Sequence, residues 1–322
     1  MIRLLHAWVA LWDRREPATA QVLVRIGVGL CLVFDLLWVR RHGLIEALWA
    51  PPPDGMAYAA NRTLWAVRWF GASADAAEQM WWIATVAAAA FTIGLATRVA
   101  GVVYVLVAAQ LAWLHPDGDR GIDIALRAVT LVMVCASGHA RWSVDAWIRR
   151  RLGRPFPALV PAWPRLLLFG QVVWIYFSSG HNKTMPEWTP AGDLSALANV
   201  LSDPHFARYS ADWVPAVYPL TQIATAVTMI FEWGAPLLFL LTWYHATADR
   251  PGRVRHLCNR LHLRWVWIAT GVVFHVGIAI FLRLGIFPWG MLALYPVLLH
   301  PEELIRAEAW LRTRLTRSGT TA

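Results

Sequence analysis

Eight apolar stretches, recurring along almost the whole chain, constrain this sequence more than anything else in it. A helix needs about 20 mainly apolar residues to cross the hydrocarbon layer of a bilayer. Segments 21–39, 79–97, 100–114, 122–138, 165–181, 215–243, 265–282 and 285–299 meet or approach that length. Backbone polar groups in hydrocarbon must be satisfied within their own segment, so these stretches are predicted to be helices. The sixth holds Gly234 and Pro236 and reads as tilted or kinked. The last carries Pro288 and reads as a short span or a re-entrant piece. The expected fold is an all-α polytopic membrane protein of about eight transmembrane helices, one domain over residues 1–322. Amphipathic interfacial helices are expected at both ends, Met1–Trp12 and 300–318, the second carrying Arg306, Arg312, Arg314 and Arg317. His6, Asp13, Arg14 and Arg15 break the apolar start, which argues against a cleavable signal peptide.

Composition agrees and narrows the class. With 58% hydrophobic and 15% charged residues, the chain is too apolar for disorder or an ordinary cytosolic enzyme. The net charge of +9 needs no nucleic acid. Placing both termini in the cytoplasm puts 19 of the 29 basic residues in inner segments, as the positive-inside rule requires. The clusters Arg149-Arg150-Arg151 and Arg250 to Arg264 anchor that side, while Arg40-Arg41 dissents. A bacterial inner membrane is the expected location. The three cysteines, Cys31, Cys135 and Cys258, show no metal or disulfide spacing, and no HExxH, phosphate loop or GxSxG occurs, so no metal is expected.

Ionisable residues inside spans are costly and mark partners or sites. Asp123 and Arg127 are four apart and share a helix face. Arg25 and Asp35 lie near three turns apart on the first span. These four read as ion pairs between helices. Glu232 and His275 sit deep in separate spans, as each other's partner, a proton relay or ligand contacts. Of the basic residues, 28 are arginine and one, Lys183, is lysine; it falls at the outer end of the fifth span. Burial can strip a lysine of its proton, whereas a guanidinium stays charged. A lone lysine in an arginine-using chain raises the question of what an amine does there that a guanidinium cannot.

Three stretches carry a resemblance. Trp142-Ser143-Val144-Asp145 is one. The second is Tyr176-Phe177-x-x-Gly180-x-x-Lys183-x-x-x-x-Trp188. The third runs from His275 through Gly285-Ile286-Phe287 to Met291-Leu292-Ala293 and His300-Pro301. Arg25-Ile26-Gly27 through Asp35 fits as well. Together they resemble the horizontally transferred transmembrane (HTTM) domain, the membrane half of vitamin K-dependent γ-carboxylase and its bacterial relatives. The resemblance implies a lysine base that deprotonates a reduced quinone, after which oxygen adds and a glutamate is deprotonated and carboxylated. Lys183 matches that lysine. His181 and Glu187 are its expected proton partners, with Tyr176, Trp188, Glu232 and His275 around a quinone or substrate cavity.

Two departures stand beside the match. Gly121-Ile122-Asp123 fills the turn where the carboxylase keeps a histidine, and no separate soluble domain is expected after the last helix. A peptide precursor and a soluble or membrane partner protein are thus expected beside membrane lipids. The alternative is a non-catalytic component for maturation or export of a secreted peptide, as in bacterial toxin-maturation relatives. A channel or transporter is disfavoured, because no inverted halves or matching broken helices appear.

Overall fold

The computed structural model describes residues 12–58 and 65–318, together with His6, Val9 and Ala10. Most of the expected Met1–Trp12 helix lies outside the described residues. In chain order the elements are β1 (Arg15–Pro17), α1 (Thr19–Arg41), α2 (Leu44–Trp49), α3 (Trp65–Phe70), α4 (Ala74–Ile93), α5 (Thr97–Leu114), α6 (Gly121–Cys135) and α7 (Val144–Arg151). There follow β2 (Leu159–Pro161), α8 (Trp163–Asn182), α9 (Ala196–Ser202), α10 (Tyr218–Trp233), α11 (Leu237–Ala246), α12 (Arg253–Arg260), α13 (Leu263–Phe281), α14 (Phe287–Leu292) and α15 (Pro301–Ser318). Each of the eight apolar stretches is occupied by helix, and the C-terminal helix coincides with its prediction.

Among the described residues, α1, α5 and α13 are long and apolar enough to cross a membrane. Residues Pro215–Trp233 and Leu237–Ala246 form a fourth if the pair, bent by 67°, counts as one span. The bend falls at Gly234 and Pro236, where proline removes a backbone donor and crowds the preceding turn. Helices α4 and α8 have the length, 20 residues each, but Asp75, Glu78 and Gln79 on one and Gln171, Ser178 and Ser179 on the other lower their hydropathy. Phe287–Leu298 is apolar but shorter.

The chain divides into two compact units, Met1–Leu168 with Ala293–Ala322, and Phe169–Leu292. In the first, α1, α4, α5 and α6 pack in sequence. Small residues let the backbones approach, as membrane helices require in place of a hydrophobic driving force. A Cβ at Gly29 would lie 2.9 Å from Thr92 Cα. The fully buried indole of Trp81 donates to the Leu36 carbonyl at 3.0 Å. Strands β1 and β2 pair antiparallel, and the buried Glu16 of β1 meets Arg165 at 2.8 Å.

The intramembrane charges are partnered differently from the expectation. Asp123 does not pair with Arg127 one turn on. It sits in the first turn of α6, where the Arg120 backbone N–H donates to it at 3.0 Å and the Arg120 side chain at 2.8 Å. A carboxylate there satisfies donors that the helix start leaves open. Arg120 also reaches Asp35 at 2.7 Å, and Arg127 turns back to Asp119 at 2.6 Å. Arg25, fully buried, gives Nη2 to the Trp142 carbonyl at 2.6 Å rather than joining Asp35.

The Trp-Ser-Val-Asp stretch has a structural task. Ser143 caps α7 by accepting from Ala146 N–H at 2.9 Å. Asp145 caps α5, accepting from Ala96 N–H, Thr97 N–H and the Thr97 hydroxyl at 2.8, 2.9 and 2.7 Å. Burial alone pushes the Asp145 carboxyl up, but these three donors outweigh it and hold it below the ordinary carboxylate value. The cap's contribution is complete above the free aspartate pKa of about 3.9 and is lost as pH falls through the lower folded value. Asp145→Asn is expected to flatten the acid limb of a thermal-midpoint-against-pH curve. Parallel limbs for parent and variant would contradict it.

Candidate functional site

The site lies in the second unit, on one face of α8 and the helices facing it. Tyr176, Ser179 and Lys183 stand three and four residues apart, so they line that face as a ladder. Lys183 follows the last residue of α8. Its Nζ donates to Glu232 Oε2 at 2.5 Å and to Ser179 Oγ at 2.8 Å. Ser179 Oγ donates in turn to Glu232 Oε1 at 3.1 Å. The three side chains close a ring of hydrogen bonds, with the Trp188 ring over Nζ at 4.9 Å. The Glu232 side chain is 3% exposed and that of Lys183 18%, so the pair opens from the amine side.

Gly180 explains how α8 and α10 come so close. A Cβ there would lie 3.0 Å from Glu232 Cβ and 3.3 Å from the Trp233 backbone nitrogen. The glycine of the motif thus clears the way for the carboxylate that meets its lysine.

Two turns deeper, Tyr176 Oη and His275 Nε2 are 2.5 Å apart and share a hydrogen-bonding proton. Both residues are buried. Phe231 and Trp267 wall the tyrosine at ring-centroid distances of 4.8 and 5.3 Å, and Phe274 and Phe287 wall the histidine at 5.1 and 5.6 Å. Sequence reading offered Glu232 and His275 as partners for one another, as a proton relay or as ligand contacts, and the first of these is not what forms. His275 meets Tyr176 of α8, and Glu232 meets Ser179 of α8 and Lys183 just beyond its end.

His181 and Glu187 are not brought to the amine. His181 is exposed two residues before Lys183, on another side of the helix, between Phe177 and Trp233 at 6.4 and 5.6 Å. Glu187 Oε2 is buried with no hydrogen-bond partner among the described residues. The residue missed as Lys183's partner is Glu232. Its signal was charge alone, an acid deep in one apolar stretch matching the lone lysine at the end of another.

Beside this ladder, α10 and α13 splay around a groove of about 790 Å³. Its walls are apolar, Leu220, Val227, Phe231, Val273 and Phe281 among them, with Thr221, Thr228 and Thr270 as the hydroxyls. Those hydroxyls give their protons to helix carbonyls at 2.7, 2.8 and 2.9 Å, which leaves acceptor lone pairs. Phe231 is shared: it lines the groove, packs on Tyr176, and precedes Glu232 in the chain. Among the described residues, no three His, Cys, Asp or Glu side chains gather as a metal site would need.

No curated protein and no solved structure matches the chain. A family match does cover nearly all of it, residues 13–302, to the HTTM domain. With its apolar helices and this match over residues that include the whole Lys183 ladder, the chain is an integral membrane protein that belongs to the HTTM domain family.

Proposed function

We propose that this protein is a carboxylase-like membrane enzyme in which Lys183 takes a proton from a hydroxyl of a lipid-soluble co-substrate, a reduced membrane quinone being the class that fits. The observation carrying this reading is the seating of the one lysine, half-closed against a buried carboxylate and a serine. Once its proton has left, the Lys183 amine has two N–H groups and one lone pair. With the N–H groups given to Glu232 and Ser179, the lone pair faces away from them, on the side where Trp188 lies, and takes a proton from there. The ammonium that results keeps the Glu232 carboxylate and meets the Trp188 ring face, so the charge created by proton capture is stabilised by groups already in place. Tyr176 and His275 hold a further proton on the same ladder, behind rings that exclude water.

The groove suits a quinol with an apolar tail. Its volume falls within the range of about 300–1,000 Å³ usual for small-molecule sites, and its few hydroxyls are placed on apolar walls. Leu220, Val227 and Val273 would hold the tail, with Phe231 between it and the ladder. When bound, a quinol supplies the acidic hydroxyl and the reducing electrons; the chain supplies the base and the dry surroundings. The modified substrate is a peptide or small molecule, presented by a partner protein. We read all eight apolar helical segments as spans of a bacterial inner membrane with both termini cytoplasmic, which the arginine distribution supports. Lys183 then opens to the outer face.

The test uses the full chain in vesicles, titrated with a short-chain menaquinol and followed by quenching of tryptophan fluorescence. Ala224→Phe fills the groove and is expected to weaken binding by about tenfold or more, the equivalent of about 1.4 kcal/mol. Unchanged affinity in that variant would remove the groove from the reading. A parent chain that binds no menaquinol would leave the non-catalytic role in peptide maturation or export as the better account.

A further inference from the structure

The segment after Lys183 is folded in a way its local sequence does not favour. It makes two single turns of tight helix, Pro186–Trp188 and Pro190–Gly192, then enters Asp193 and Leu194 with φ of +59° and +52°. Two successive non-glycine residues in the left-handed region are uncommon, a leucine especially, and they persist only where their surroundings overdetermine them. Here the surroundings are two side chains of α10. Tyr218 Oη donates to Asp193 Oδ2 at 2.9 Å. Gln222 Nε2 donates to Asp193 Oδ1 at 2.8 Å and to its carbonyl oxygen at 2.9 Å. Tyr218 and Gln222 are four apart, on one face of the helix that also carries Glu232. Gly192 lets the turn fold back on itself, since a Cβ there would collide with the Pro186 carbonyl carbon and Glu187 nitrogen. At the other end of the same turn sits Trp188, over the Lys183 amine.

We infer that residues 185–195 form a latched cover over the Lys183 amine, and that Asp193 is the positioning residue that holds Trp188 in place by fastening the turn to α10. The helix that supplies the amine's carboxylate thereby fixes its roof as well. The backbone strain at Asp193 and Leu194 favours release, and the three hydrogen bonds from Tyr218 and Gln222 oppose it, so the closed turn is one side of a two-state element. Opening it bares the amine to the reactants it meets. This deepens the reading of Lys183 as a base, yet its test does not pass through turnover.

Lys183 being the only lysine, an amine-acetylating reagent reports on it directly when the labelled peptide is followed by mass spectrometry of the intact, reconstituted chain. Asp193→Ala and Tyr218→Phe are each expected to raise the labelling rate by roughly three- to tenfold, the factor that a lost hydrogen bond contributes to a local opening equilibrium. Trp188→Ala raises it at least as far, and adding Asp193→Ala to it gives no further gain, because both act on one step. Leu194→Gly relieves strain while keeping the latch, so it labels more slowly than the parent. Tyr218→Phe keeps the test open should Asp193→Ala fail to fold. Parent-like labelling in Tyr218→Phe and Asp193→Ala, with Trp188→Ala fast, would overturn the latch. Parent-like labelling in Trp188→Ala would overturn the cover itself, whatever the enzyme does with a quinol.

Discussion

Lys183→Arg lowers quinol-dependent turnover by about 10²–10⁴-fold, the usual contribution of a positioned proton-transfer group, while the chain still reaches the membrane and unfolds near the parent temperature. The substitution is chosen because it separates charge from chemistry. Arginine keeps a cation opposite Glu232, so the buried carboxylate is not orphaned. It also keeps a planar face that stacks on an indole such as Trp188. What it cannot do is give up its proton within the working pH range. The measurement is loss of the reduced quinone in vesicles holding equal amounts of parent and variant, beside their thermal midpoints. Full turnover in the arginine variant would end the case for Lys183 as a base.

The second large effect is one of stability, and it is asymmetric. Lys183→Met leaves the Glu232 side chain, 3% exposed, as a buried carboxylate without its cation. That is expected to cost about 3–5 kcal/mol, the range for breaking a buried pair from one side. Glu232→Leu leaves an amine with 18% exposure, which can swing to water, so its loss is nearer the 1.5–3 kcal/mol, roughly, of a charged hydrogen bond. Replacing both together restores most of the deficit, because the desolvation of the pair disappears with it. Unfolding of the four proteins closes the cycle. Equal losses for the two single variants would show that the two side chains share one environment, against the geometry described above.

What could be read in the sequence depended on how far a cause reaches along the chain. Helix over each apolar stretch is a local matter of solvent and backbone, and it was legible, as was the break at Gly234 and Pro236. The motif around Lys183 was legible through its likeness to a family pattern, but Ser179, which the spacing puts on one face with Tyr176 and Lys183, drew no role. Partners were not. Lys183 meets Glu232 across 49 positions and Tyr176 meets His275 across 99, and only the packing of α8 on α10 and α13 brings them together. Reading by sequence nearness picked His181, which the helix turn sends to another side, and Glu187, whose Oε2 is buried in the turn beyond without a partner among the described residues. Arg120 lay in a presumed loop and drew no notice, yet as the residue before α6 it takes both Asp35 and Asp123. Proximity in sequence was a poor guide to charge pairing and a good one to capping.

The break after α10 has an electrostatic consequence that no side-chain substitution would remove. Helix α10 ends at Trp233, one residue past Glu232, and α8 ends at Asn182, one residue before Lys183. The peptide dipoles of each helix sum toward its C-terminal end, the equivalent of about half a negative charge apiece, even though the Ile230, Phe231 and Gly180 carbonyls accept from Gly234 N–H, Trp267 Nε1 and Lys183 N–H. The bend thus sets two such ends beside a single amine. Part of the field that greets a proton at Lys183 is written in the backbone, in where two helices stop.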